Sequence, residues 1–157
     1  KKEFFPEPKA LLISGRTKVL GTDGRKMSKS YNNYIALSDA PEVIRKKVQG
    51  MFTDPQRIRL TDRGHPDKCS VFAYYESFAI ALKNQVHQRC LKGEIGCTEC
   101  KKELAALLLD LLAPIQARRQ ALQKDKKQIQ DILSAGQDKA TVLAKKTIAE
   151  VRGLLKI

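Results

Sequence analysis

The spacing of apolar residues along the chain changes after residue 37. Before it, short apolar runs at residues 10–13 and 18–20 flank Ser14-Gly15-Arg16, which predicts two short strands joined by a turn. From residue 38 onward, apolar residues recur at intervals of three and four, the period of an amphipathic helix. The sequence therefore predicts a mainly α fold that begins with a short strand–loop segment.

The first two predicted helices have recognisable ends. Ser38-Asp39 can cap the first helix, Pro41 suits its first turn, and Gly50 is expected to end it. The second helix is expected to run without a break over residues 70–91.

The remaining pattern is also helical. Thr98 is expected to cap a third helix, which Pro114 should kink or split. A further stretch should end at Gly136, and a last helix should bury its apolar face. The residues expected on buried helix faces are Val43, Ile44, Val48, Phe72, Tyr75, Phe78, Ala79, Leu82, Leu104, Leu107, Leu108, Leu111, Leu112, Ile115, Leu143, Ala144, Ile148, Val151 and Leu155.

The charge of the chain indicates its partners. Its 157 residues include 30 Lys and Arg against 17 Asp and Glu, a formal charge of +13. Such an excess predicts a polyanionic partner, nucleic acid first and a membrane surface second. No apolar run approaches the roughly 20 residues that span a bilayer, and the first residues do not resemble a signal peptide. We therefore expect a cytoplasmic protein and, because no initiator Met is present, a piece of a longer chain.

A basic loop carries the most specific chemical signal. Lys26-Met27-Ser28-Lys29-Ser30 follows the turn-forming segment Gly21-Thr22-Asp23-Gly24. Two ammonium groups interleaved with two hydroxyls can surround a triphosphate, while Met27 anchors the loop to the protein. The glycines allow the loop to move over a substrate.

Four cysteines suggest a metal site. Cys69, Cys90, Cys97 and Cys100 have the spacing C-x20-C-x6-C-x2-C. In a cytosolic chain such a set indicates zinc or an iron–sulfur cluster more often than disulfides. Zinc has a second possible ligand set, in which His87 replaces Cys69. Free thiols without a metal are the remaining interpretation.

Lys26–Ser30 is the KMSKS signature of class I aminoacyl-tRNA synthetases, and the flanks resemble the tryptophanyl family. The similar segments are residues 5–8, 24–33, 35–39, 53–55 and 64–72, which cover about half of the chain. The resemblance implies that residues 1–37 are the C-terminal edge of a Rossmann-type catalytic domain with the KMSKS loop. Residues 38–157 would be a helical anticodon-binding region with the cysteines.

The resemblance also implies an activity and the residues that carry it. Such enzymes activate tryptophan with ATP in a Mg-dependent step and transfer it to tRNA(Trp). Lys29, assisted by Lys26, would stabilise the leaving pyrophosphate, and residues 26–30 would bind ATP. Some members hold a 4Fe–4S cluster through a similar cysteine motif with a slightly longer first gap, which here implies Cys69, Cys90, Cys97 and Cys100 as ligands. The HIGH motif of the family is absent from the chain.

Two consequences and one alternative follow. Without the HIGH motif we expect the chain alone to be inactive and monomeric, although the full enzymes of this family are homodimers.

RNA contacts are expected from two basic groups: Arg89, Lys92, Lys101 and Lys102 near the cysteines, and Arg118, Arg119, Lys124, Lys126 and Lys127 further along. The alternative function is a stand-alone RNA-binding or redox-sensing helical module built around a metal cluster.

Overall fold

The computed structural model describes residues 4–11 and 18–156. These residues belong to two units, Ile13–Gln116 on the one hand and Lys1–Leu12 with Ala117–Ile157 on the other. The elements are α1 (Pro41–Gln49), a 3-10 turn (Pro66–Lys68), α2 (Ser70–Phe78), α3 (Ile80–Leu91), α4 (Cys97–Lys124) and α5 (Lys126–Leu155). Within the described ranges, none of the helices combines the length and the apolar character that a membrane crossing requires.

The mainly helical fold is confirmed, but the predicted strands are not found among the described residues. Residues 18–20 form only an isolated antiparallel bridge, in which Leu20 pairs with Lys26. The pairing stops there because the chain turns back at once through the glycine-rich segment. Residues 10 and 11 are irregular, while residues 12–17, which hold the rest of the predicted strand and its turn, lie outside the described residues.

The start of α1 differs from the prediction. The helix begins at Pro41 with Ala40 as its N-cap, and no side chain caps it. The Asp39 carboxylate instead accepts hydrogen bonds from the Ala36 N–H at 2.8 Å and the Lys47 ammonium at 2.6 Å. Asp39 thus fixes the connection before the helix, because Lys47 in the last turn of α1 competes for the carboxylate.

Two predicted helix boundaries are also wrong, and of the two outcomes predicted at Pro114, a kink or a split, the split does not occur. Residues 70–91 form two helices because Ala79 adopts φ −139° and ψ 53°, far from helical values. In contrast, Pro114 lies inside the continuous helix α4, and Gly136 lies inside α5. Pro114 is solvent-exposed, where water can satisfy the backbone carbonyl that loses its hydrogen bond.

The core lies in the unit Ile13–Gln116 and uses residues of α1, α2, α3 and the first part of α4. Ile44, Val48 and Leu104 are fully buried, and Tyr75 is 1% exposed. The helical period correctly predicted these four residues, but Phe78, Leu82, Leu111 and Ile115 are each more than 40% exposed. The further members of the core cluster are Met51, Val71, Phe72, Tyr74, Ala79, Val86, Ala105, Leu108 and Leu112.

The predicted burial of the last helix is wrong for the described structure. No residue of α5 is buried, and Leu143 and Leu155 are 68% and 62% exposed. An amphipathic period shows that a face can be buried, but burial also requires a surface to cover it.

The backbone of Phe52 joins two parts of this unit. Its N–H donates to the carbonyl oxygen of Thr22 at 2.7 Å. Its carbonyl oxygen accepts from the Ser70 N–H at 3.2 Å and the Ser70 hydroxyl at 2.5 Å. The segment with the basic loop is therefore tied directly to the first turn of α2.

Replacing Leu104 by alanine should destabilise the chain by about 2–5 kcal/mol, because the substitution leaves a cavity in a fully buried position. Leu111→Ala, on the same helix but 45% exposed, is the matched control and should cost about 1 kcal/mol or less. Denaturant unfolding followed by circular dichroism measures both. Equal losses would show that Leu104 is not a core residue.

Candidate functional site

A tight reversal of the chain presents the basic loop. The Met27 N–H donates to the Val19 carbonyl oxygen at 2.9 Å, and the Gly21 N–H donates to the Arg25 carbonyl oxygen at 2.6 Å. Gly24, at the tip, has φ +82°, a conformation that glycine adopts without strain. These bonds fix the start of the segment 26–30 relative to the residues before it.

Asn33 holds the loop from inside. It is 2% exposed, and its amide nitrogen donates to the Asp23 carboxylate at 2.7 Å and to the Lys26 carbonyl oxygen at 3.2 Å. Its amide oxygen accepts from the Ser28 N–H at 2.8 Å. Because one buried side chain bonds three loop residues, it sets the loop geometry.

The close approach of Gly21 completes this arrangement. A Cβ at position 21 would overlap the Asn33 amide and lie 2.6 Å from the Asn33 carbonyl oxygen. That oxygen also accepts from the Thr22 N–H at 2.8 Å. The hydrogen bond from Asn33, together with hydrogen bonds and the charge from Arg25, lowers the pKa of Asp23 against a smaller desolvation effect, which keeps its carboxylate ionised.

The outer face of the loop is polar and accessible. Lys26 and Lys29 are exposed, whereas Met27 packs against the core cluster, as the sequence predicts. The hydroxyls of Ser28 and Ser30 are 2.8 Å apart. Two exposed ammonium groups beside two hydroxyls can bind a polyphosphate.

The four cysteines lie around one small cavity. Cys69 immediately precedes α2, Cys90 lies in α3, and Cys97 and Cys100 lie in the first turn of α4. All four line the same cavity, and we call this set the thiol pocket. The other lining residues are Thr53, Arg57, Val71, Phe72, Val86 and Ile95. Among the described residues, no group of three or more His, Cys, Asp or Glu residues could hold a metal ion.

The environment of the thiol pocket opposes thiolates in the absence of a cation. Burial raises the pKa of Cys69, Cys90 and Cys100, that of Cys100 to about 12, and the neighbouring cysteines add to the rise. The guanidinium of Arg57 acts in the opposite direction and lowers the pKa of Cys90. These thiols are therefore protonated at neutral pH, and binding a metal would displace the protons.

The surroundings distinguish Cys69 from His87. Burial raises the pKa of the Cys69 thiol, while the nearby backbone N–H groups of Phe72, Val71 and Asp54 act in the opposite direction. The His87 ring instead packs against Phe72, with ring centroids 5.3 Å apart. His87 is also not among the residues that line the thiol pocket. Cys69 therefore lies with the other three cysteines around the pocket, and His87 does not.

Two polar residues that the sequence analysis did not single out support the pocket. Asp54 is 6% exposed and accepts from the N–H and Nδ1 of His65 at 2.9 and 2.8 Å. His65 thus braces the loop before α2. Arg57 donates to the carbonyl oxygens of Ile95 and Leu60 at 2.7 and 2.6 Å. The signal for Asp54 was its position before a proline, which is typical of a side chain that turns its own backbone.

The predicted basic group near the cysteines is divided. Arg89 forms a two-pronged pair with Glu103, with both bonds at 2.9 Å. Lys101 donates to the Gln49 carbonyl oxygen at 2.9 Å, at the end of α1. Residues near each other in sequence therefore face different surroundings. Arg118, Arg119, Lys124, Lys126 and Lys127 are exposed, and their RNA contacts stay a prediction.

Known proteins resemble this chain in sequence and in fold. A family model described as "tRNA synthetases class I (W and Y)" matches residues 1–113. The chain is 43% identical to the tryptophan–tRNA ligase of Aquifex aeolicus, covering 99% of the chain and 40% of that relative. It is 39% identical to that of Thermotoga maritima, covering 99% and 48%.

A solved structure agrees in fold. The crystal structure of tryptophanyl-tRNA synthetase from Campylobacter jejuni complexed with ADP and tryptophan superposes with a TM-score of 0.80 at 24% identity, covering 96% of this chain and 47% of that chain. The chain thus spans less than half the length of these relatives. Since the family match extends over most of the sequence, the chain belongs to the class I tRNA synthetases for tryptophan and tyrosine.

Proposed function

We propose that the chain is the C-terminal part of a tryptophan–tRNA ligase, which activates tryptophan with ATP and Mg²⁺ and transfers it to tRNA(Trp). The observation that carries this proposal is the exposed pair Lys26 and Lys29 on a loop braced from inside by Asn33. Similarity over 99% of the chain to relatives named tryptophan–tRNA ligase supports it. Because the chain spans 40% and 48% of these two relatives, it should not activate tryptophan alone.

The proposal includes an organisation. Residues 1–37 would be the edge of the catalytic domain, and residues 38–157 the helical anticodon-binding region. The complete enzyme would be a cytoplasmic homodimer, whereas this chain alone would be a monomer. A stand-alone RNA-binding or redox-sensing module is a weaker proposal, because such a module has no use for a polyphosphate loop.

The chemistry of the loop follows from its charges. When the tryptophan carboxylate attacks the α-phosphorus of ATP, the bond to the bridging oxygen breaks and negative charge grows on the departing pyrophosphate. The ammonium of Lys29, assisted by Lys26, would stabilise that charge, and the Ser28 and Ser30 hydroxyls would donate to phosphate oxygens. Residues 26–30 would thus bind ATP, with Met27 as their anchor in the core.

The thiol pocket would hold a 4Fe–4S cluster through Cys69, Cys90, Cys97 and Cys100. Four thiols are the ligand set that such clusters use, and all four line this pocket. Zinc, which the same four thiols or the set with His87 could also bind, is the second choice. A bound cluster would cross-link the starts of α2 and α4 to α3.

In the enzyme extended to the full length of its relatives, Lys29→Ala should slow adenylate formation by roughly 10²–10³-fold, because a transition-state contact is lost. Tryptophan binding should be retained. Tryptophan-dependent exchange of pyrophosphate into ATP measures the first effect, and Lys18→Ala, which also removes an exposed lysine, is the control. An unchanged exchange rate would remove Lys29 from the chemistry.

Asn33→Ala in the same enzyme should also slow pyrophosphate exchange, by about 10-fold or more, because the loop loses its internal hydrogen bonds. The adjacent Asn32 is exposed and has φ +50°, so Asn32→Gly should leave the rate within about 3-fold. Limited proteolysis of residues 19–33 should distinguish a loosened loop from a lost ligand contact. Equal rates for both variants would contradict a positioning role for Asn33.

Anaerobic reconstitution of the chain with iron and sulfide should give a brown protein with absorption near 400 nm. Cys97→Ser should lower the bound iron, whereas His87→Ala should not, since the His87 ring contacts Phe72. In the full-length enzyme, Cys97→Ser should impair tRNA charging and largely retain adenylate formation. Protein that binds neither iron nor zinc would exclude the cluster, and stoichiometric zinc that depends on His87 would favour the other ligand set.

A further inference from the structure

A second basic surface lies between α1 and α4, apart from the loop and the thiol pocket. It is an open groove of about 630 Å³, entirely within the unit Ile13–Gln116. Four cations and one carboxylate line it, together with small and apolar residues. The lining side chains that define this α1–α4 groove are Arg45, Lys46, Lys101, Lys102, Leu109 and Asp110.

Most of these cations form no strong ion pair with other described residues of the protein. No carboxylate of the described residues pairs with Arg45 or Lys46, and both side chains are exposed. Lys102 approaches only Glu99, at 3.6 Å with both side chains more than half exposed, an arrangement that contributes little. Lys101 differs, because its ammonium binds the Gln49 carbonyl oxygen at the end of α1.

The shape of the groove selects among anionic partners. A flat membrane surface cannot follow a concave groove, whose lining also includes Ala105, Ala106 and Leu109. A single phosphate would leave most of this open space empty. Cations contributed by two helices, with apolar residues among them, instead suit a chain of phosphates that carries ribose rings. The guanidinium of Arg45 can also bind a phosphate through two donors.

We propose that the α1–α4 groove binds the phosphate backbone of RNA. This inference rests on the proposed function, in which tRNA is the partner, and it adds where the backbone lies. It also revises the expected grouping: Lys101 and Lys102 act with Arg45 and Lys46 of α1, whereas Arg89 is committed to Glu103.

The test measures binding of a fluorescent tRNA to the 157-residue chain by anisotropy over a series of salt concentrations. The groove variant R45Q/K46Q/K102Q leaves Lys101 in place, because Lys101 contacts α1. The variant should weaken binding about 10-fold or more near 0.1 M salt. The slope of log Kd against log salt concentration should fall by about 2, because each of the three lost phosphate contacts contributes roughly 0.7.

The control is K9Q/K18Q, which removes two exposed cations from residues 1–37, outside the proposed anticodon-binding region. Its affinity should stay within about 3-fold of the parent and its salt slope nearly unchanged. Thermal unfolding of both variants confirms that they fold. Equal weakening by the two variants would overturn the proposal in favour of diffuse charge, and so would unchanged binding by the groove variant.

A competitor identifies the ligand class. Poly-glutamate at equal charge should displace the tRNA far less well than single-stranded RNA does; equal displacement would show a site for any polyanion and contradict the proposal. The groove variant of the full-length enzyme should keep its rate of pyrophosphate exchange. If the parent full-length enzyme lacks exchange, the proposed function fails, and the RNA-binding result still decides the groove separately.

Discussion

The two hydrogen-bonding groups of the Phe52 backbone connect the two candidate sites. On one side Phe52 donates to Thr22, the residue whose own N–H bonds Asn33 behind the basic loop. On the other it accepts from Ser70, which follows Cys69 at the start of α2. Because the N–H and the carbonyl oxygen of one residue make both connections, the loop cannot shift far without moving the beginning of α2. The buried Met51 beside it gives this connection a fixed position in the core.

The sequence predicted helices and their inner faces well, and their boundaries less well. A period of three and four correctly identified Ile44, Val48 and Leu104 because burial of one helix face dominates the packing energy. The break at Ala79 was not predictable, since nothing about alanine favours leaving a helix and the surrounding packing decides it. At Pro114 the sequence left a kink or a split open, and the helix is not split, because water can reach this exposed position and satisfy the freed carbonyl.

The candidate sites were likewise predicted only in part from the sequence. The motif at residues 26–30 identified the loop and its anchor, but the brace behind it, Asn33, depends on contacts across the turn. The spacing of the cysteines predicted a common site, and the structure places all four around one cavity. The basic residues near the cysteines were predicted as one group, but Arg89 and Lys101 lie on different helices and make different contacts. Arg89 meets Glu103, whereas Lys101 reaches the end of α1.

The contact between Gly21 and Asn33 has a consequence for how this family can vary. Position 21 has no room for a Cβ, because both the side chain and the backbone oxygen of Asn33 lie against it. A smaller residue at 33 would not make that room, since the backbone oxygen would stay 2.6 Å from such a Cβ, and it would lose the bonds to Asp23, Lys26 and Ser28. No substitution at position 33 can therefore compensate for a larger residue at position 21. We expect glycine at position 21 to persist even in lineages where position 33 has changed.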